Sequence, residues 1–95
     1  MECNSLIFSG HALQRMFERN IAPVEVRAVV ETAEIIETYA DDVPHPSVLI
    51  LGFTNGQPLH VVIGYNDSVR ECYVITAYRP DPGLWDSSFK VRRTA

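Results

Sequence analysis

Cysteine is scarce in this chain, with two among 95 residues, Cys3 and Cys72. Two such distant cysteines make no disulfide framework, and nothing beside either marks a reactive thiol. Long apolar runs are missing, so no segment approaches membrane-spanning length. The N-terminus lacks the basic and apolar stretches of a secretory signal, and a cytoplasmic protein is expected. Positive charge is in deficit: the net charge of −4 speaks against non-specific nucleic-acid binding. The histidines His11, His45 and His60 stand at no metal-ligand spacing and far from both cysteines, so neither metal nor cofactor is expected. The signature motifs of hydrolases, kinases and dinucleotide enzymes are absent. There is no repeat, linker or low-complexity segment.

What is present suits one folded domain. A hydrophobic fraction of 46% and a charged fraction of 21% do not describe a disordered chain. Ninety-five residues support a single modest core, spanning about residues 6–90, with a basic tail over 90–95. Charge is unevenly spread. Acids dominate between Glu18 and Asp42, opposed only by Arg19 and Arg27, whereas Arg79, Lys90, Arg92 and Arg93 outnumber the acids after Tyr78.

The segment FSGHALQRMFERN predicts a helix from His11 to Arg19 or Asn20, capped by Ser9. Residues four apart are surface neighbours, so His11, Arg15 and Arg19 form one stripe while Ala12, Leu13, Met16 and Phe17 fall on another side. Pro23 sits where a first helical residue belongs, and Val26, Val29, Val30 and Ala33 continue a second amphipathic helix that ends at Ala33 or Glu34. A β-type run follows over 35–39, then a loop over 41–46 that holds two prolines. Ser47 to Phe53 and Leu59 to Tyr65 read as strands joined at Asn55-Gly56, the strongest hairpin signal here. Cys72 to Tyr78 is the last strand, and beyond it Trp85 and Phe89 share one helical face. The expected fold is therefore α+β: two N-terminal helices on one face of an antiparallel sheet of about four strands.

In PLHVVIGY, alternation sends Leu59, Val61, Ile63 and Tyr65 to one face and His60, Val62 and Gly64 to the other. His60 then sits mid-sheet beside a glycine that leaves room above it. The bland reading is a partly buried histidine bonded to a neighbour. The functional one is an imidazole that moves a proton near neutral pH. Thr76 and Tyr78 share a face, with Arg79 opposite unless a bulge intervenes. Whether His60 joins the Thr76/Tyr78 face depends on a hairpin register that alternation leaves open. Asp81 reads as a turn-former beside proline, Trp85 as a hydrophobic plug, and Arg92 and Arg93 as solvated tail cations able to reach phosphate.

Taken together, FSGHALQRMFERNI, EIIETYADDVPHPSVLILGF, PLHVVIGY and VITAYRPDPGLWDSSFKVRR resemble the bacterial domain-of-unknown-function family 4258. That family is grouped with RelE- and BrnT-like ribonuclease toxins, and the likeness spans Phe8 to Arg93. It implies a RelE-like fold and a toxin of a type II toxin–antitoxin pair, with an antitoxin protein as partner and RNA as substrate. Its motif positions fall on His11, Arg15, Arg19, His60, Thr76, Tyr78, Pro80 and Asp81, with Trp85 following. Two departures stand out: Ala33 and Glu34 replace a glycine common at the helix exit, and the net charge is acidic where such toxins are basic.

Metal-independent RNA cleavage needs a base for the ribose 2′-hydroxyl, an acid for the departing 5′-oxygen and cations for the phosphorane. The expected catalytic set is His11 or His60 as base or acid, with Tyr78 orienting substrate. Arg15, Arg19, Arg79 and Arg92 are the expected phosphate ligands, since a guanidinium donates two parallel hydrogen bonds and stays charged. The competing expectation is a non-catalytic interaction module built on a toxin-like domain.

Overall fold

The computed structural model describes residues 2–94. Its elements in chain order are β1 (Ser5–Phe8), α1 (Gly10–Glu18), α2 (Pro23–Thr32), β2 (Glu34–Tyr39), β3 (Ser47–Thr54), β4 (Gln57–Asn66) and β5 (Glu71–Tyr78). The strands form one sheet in the order β1-β5-β4-β3-β2, with β1 parallel to β5 and the other pairs antiparallel.

The α+β class holds, but the sheet has five strands and is mixed, not four and antiparallel, and a strand precedes both helices. Ser5–Phe8 is too short for its alternation to stand out, and its partner lies more than sixty residues onward. Pairing at that range leaves no local mark.

Both helices begin as their caps dictate. Ser9 Oγ accepts a hydrogen bond from Ala12 N at 3.0 Å. Ala22 has no capping side chain, and Glu25 Oε2 instead accepts from Ala22 N at 2.9 Å, with Pro23 opening α2. Ala12 and Met16 of α1 and Val26, Val29 and Val30 of α2 meet Ile50, Leu59, Val61, Ile63 and Val74 in one core. Gly52 lets α2 lie close: a Cβ there would stand 2.8 Å from both Val29 methyls. The guanidinium of Arg27 rests 5.2 Å over the Phe8 ring. No helix among the described residues is long and apolar enough to cross a membrane.

Asn55 and Gly56 adopt φ of 54° and 75°, the mirror-image turn of a tight hairpin between Thr54 and Gln57. The register then decides the faces. Ile63, Val61 and Leu59 pair with Val48, Ile50 and Gly52 beneath the helices, while Gly64, Val62 and His60 pair with Ser47, Leu49 and Leu51 on the other, open face.

Two expectations are corrected here. Residues 79–94 form no helix. Pro80 and Pro82 block one, Phe89 takes a φ of 61°, and the segment doubles back so that Trp85 bridges Arg92. Trp85 is nonetheless a buried plug at 3% exposure. Cys3 and Cys72 form a disulfide, tying the segment before β1 to β5. Their distance in sequence concealed it, because parallel pairing of Leu6 with Cys72 is what brings the two ends together.

Candidate functional site

Across the open face, one ladder row reads Tyr78, His60, Leu51 and Glu34. A bulge in β5 keeps Thr76 opposite Val62 and Tyr78 opposite His60 although Val74 pairs with Ile63. His60, Thr76 and Tyr78 therefore share a face. The doubled-back segment covers this row. Trp85 stands edge-on to the His60 ring at 4.5 Å, and Lys90 Nζ reaches Glu34 Oε2 at 3.0 Å.

His60 is fully buried, with both ring nitrogens engaged. Nε2 lies 2.8 Å from the Phe89 carbonyl oxygen and Nδ1 lies 3.3 Å from Tyr78 Oη. A carbonyl only accepts, so Nε2 carries the hydrogen and Nδ1 is left to accept from the Tyr78 hydroxyl. Burial lowers the His60 pKa, the Phe89 hydrogen bond works against this, and the Arg92 charge adds to the lowering. Burial raises the Tyr78 pKa, opposed by the charges of Arg92 and Arg19. At neutral pH the pair is a neutral imidazole accepting from a protonated phenol.

Two guanidiniums flank this pair. Arg92 lies 4.8 Å over the Trp85 ring, held there by the antiparallel bridge between the two residues. Arg19, at the C-cap of α1, donates from Nη1 to Thr76 Oγ1 and to the Ala77 carbonyl, both at 3.0 Å. β1 ends opposite Val74, so the edge of β5 beyond it is free to receive Arg19.

The remaining candidates lie elsewhere. His11 and Arg15 are on the exposed side of α1, where Arg15 stands 3.6 Å from Glu18. At 1.5 Å per residue, His11 is about 12 Å along the axis from Arg19. Arg79 points to the helix side. It donates to Glu25 Oε1 at 2.7 Å and to Thr54 Oγ1 at 2.8 Å, joining α2 to the hairpin. Glu25 has a lowered pKa, chiefly from the Ala22 backbone hydrogen bond, offset by burial and reinforced by Thr54 and Arg79. Asp81 closes a turn by accepting from Gly83 N at 2.8 Å. Among the described residues no cluster of His, Cys, Asp and Glu could hold a metal ion.

Sequence reasoning missed the Phe89 carbonyl, which a backbone atom in an irregular segment does not advertise. It also missed a cavity at the other end of the open face, about 290 Å3, between the β2–β3 loop and residues Gly64, Tyr73 and Ile75. The two prolines and His45 of that loop were the available signal.

The chain matches the family described as Domain of unknown function (DUF4258) over residues 8–79, and it belongs to that family. The matched span carries α1, His60, Thr76 and Tyr78, and stops before Trp85 and Arg92. No curated protein and no solved structure matches the chain.

Proposed function

We propose that this domain is a RelE/BrnT-like toxin component, acting as a metal-independent endoribonuclease and held in check by an antitoxin protein. The observation that carries the reading is the meeting of Tyr78, Arg19 and Arg92 at one end of the open face, with His60 bonded beneath. In the proposed step the ribose 2′-oxygen attacks phosphorus and the bond to the 5′-oxygen breaks. The 2′-hydroxyl proton passes to Tyr78 Oη while the Tyr78 proton passes to His60 Nδ1; the departing 5′-oxygen takes a proton from water, and the hydroxide left behind takes back the His60 proton through Tyr78. Arg19 and Arg92 carry the phosphorane charge, a contribution of ~3 kcal/mol for each well-oriented donor. His11 and Arg15 extend the phosphate contacts along α1. Arg79 stays with Glu25 and supports the hairpin.

A specific observation favours a second reading, a non-catalytic module: burial and Arg92 make His60 a poor final proton acceptor. End-labelled single-stranded RNA separates the two. Under the nuclease reading the wild type cuts it, Tyr78→Phe and His60→Gln lose about 100-fold or more in rate while still binding, and Arg19→Ala with Arg92→Ala weakens binding. Binding without cleavage leaves the module. Wild-type protein that neither binds nor cuts RNA rejects the nuclease reading and leaves the protein-interaction module.

A further inference from the structure

The cavity at the far end of the open face contains none of the groups assigned to RNA cleavage. Its mouth is the loop from Asp42 to His45, its floor is Gly64, and Tyr73 and Ile75 of β5 complete the wall. Three features restrict what fits. The His45 ring stacks on Tyr73 with an interplanar angle of 7°, giving a flat aromatic wall. Gly64 keeps the floor open: a Cβ there would already touch Ile75 Cδ1 at 3.5 Å, so any longer side chain would occupy the space. Asp42 uses Oδ2 to accept from the Ser47 hydroxyl, which leaves Oδ1 for another donor.

A volume of about 290 Å3 is at the small end for ligand sites, enough for one ring system and too small for a folded peptide segment. Apolar walls, a flat aromatic surface and one carboxylate acceptor select a planar heterocycle bearing N–H donors. The carboxylate repels phosphate, so any phosphate attached to that ring must lie outside. β5 leads from Tyr73 to Tyr78, roughly 16 Å at strand rise, toward Arg19 and Arg92.

We propose that this cavity is a nucleobase subsite that prefers a base with an exocyclic amino group, such as adenine or cytosine, over uracil. Stacking on an aromatic wall accepts any base, and discrimination comes from Asp42. An amino group donates to Oδ1, whereas the single N–H of uracil is flanked by two carbonyl oxygens that would face the carboxylate. The source of the base, a nucleotide of bound RNA, rests on the proposed function. The chemistry of the pocket does not.

The test is a titration of the full chain with adenosine, cytidine and uridine, followed by amide and side-chain NMR shifts. Adenosine and cytidine are expected to move Gly64, Tyr73 and Ile75 resonances, with uridine about tenfold weaker or more. Asp42→Asn should erase that difference, and Gly64→Leu should abolish all binding; melting curves verify that each variant is folded. No shift with any nucleoside at millimolar concentration, or equal binding of uridine and adenosine, overturns the proposal. Arg19→Ala should leave nucleoside binding unchanged. A short oligoadenylate and oligouridylate separate the two readings. Adenosine binding with no oligonucleotide binding supports the subsite, as one for a free nucleoside, and sinks the RNA reading. Oligonucleotide binding lost in Arg19→Ala, with no nucleoside shift, does the reverse.

Discussion

His60 has no solvent exposure, and its Nε2 is committed to the Phe89 carbonyl while its Nδ1 faces the Tyr78 hydroxyl. A second ring proton would confront that hydroxyl and the nearby charge of Arg92 without water to spread it. Burial thus places the folded-state pKa below the ordinary 6.5. The unfolded chain then protonates first as pH falls. Above about pH 6.5 both states hold a neutral ring, and His60 adds nothing to the pH dependence. Below it the unfolded state binds more protons, and stability falls until the folded pKa is reached, by at most about 1.4 kcal/mol per pH unit. Melting temperature measured from pH 7.5 to 5.5 should drop more steeply for the wild type than for His60→Gln. Equal slopes would show that His60 is not held neutral. PLHVVIGY disclosed which face His60 takes, but its hydrogen-bond partners come from residues 18 and 29 positions onward, beyond any local pattern.

At the scale of elements, two glycines on opposite faces of the sheet make a controlled pair. Gly52 lies under α2, where an added Cβ meets Val29 side-chain carbons at 2.8 Å, so the helix must lift or the strand must bend. Gly52→Ala is expected to cost about 1–3 kcal/mol, as overpacking does in a filled interior. Gly64→Ala meets only ordinary contact at 3.5 Å on the open face and is expected to stay within about 1 kcal/mol. Urea denaturation midpoints compare them directly; equal losses would mean that the α2–sheet approach is not what Gly52 permits. The elements themselves were legible where chemistry is local. Ser9 caps, Pro23 opens a helix, and Asn55-Gly56 turns a hairpin, each through its own backbone preference. β1 and the doubled-back segment were not legible, because what defines them is a partner far along the chain.

For the molecule as a whole, the Cys3–Cys72 bridge spans 69 residues and fastens the edge strand that closes the sheet. A cross-link of that span restricts the unfolded chain strongly, and its loss is expected to cost about 2–4 kcal/mol. Melting with and without a thiol reductant measures this; a melting temperature unchanged by reduction, verified by thiol titration, would mean that β1 docking supplies the closure alone. Hydrophobic periodicity by itself determined the α+β class, both helices, three long strands and the alternation of faces within each strand, because these follow from spacing along a regular backbone. Tertiary structure alone decided that β1 joins β5 in parallel, that two distant cysteines meet, that Arg19 reaches β5 while His11 stays outside, and that Trp85, Phe89 and Arg92 close over His60. Those outcomes depend on register and chain reversal, which are settled by the packing of the whole core and leave no repeat in the sequence to read.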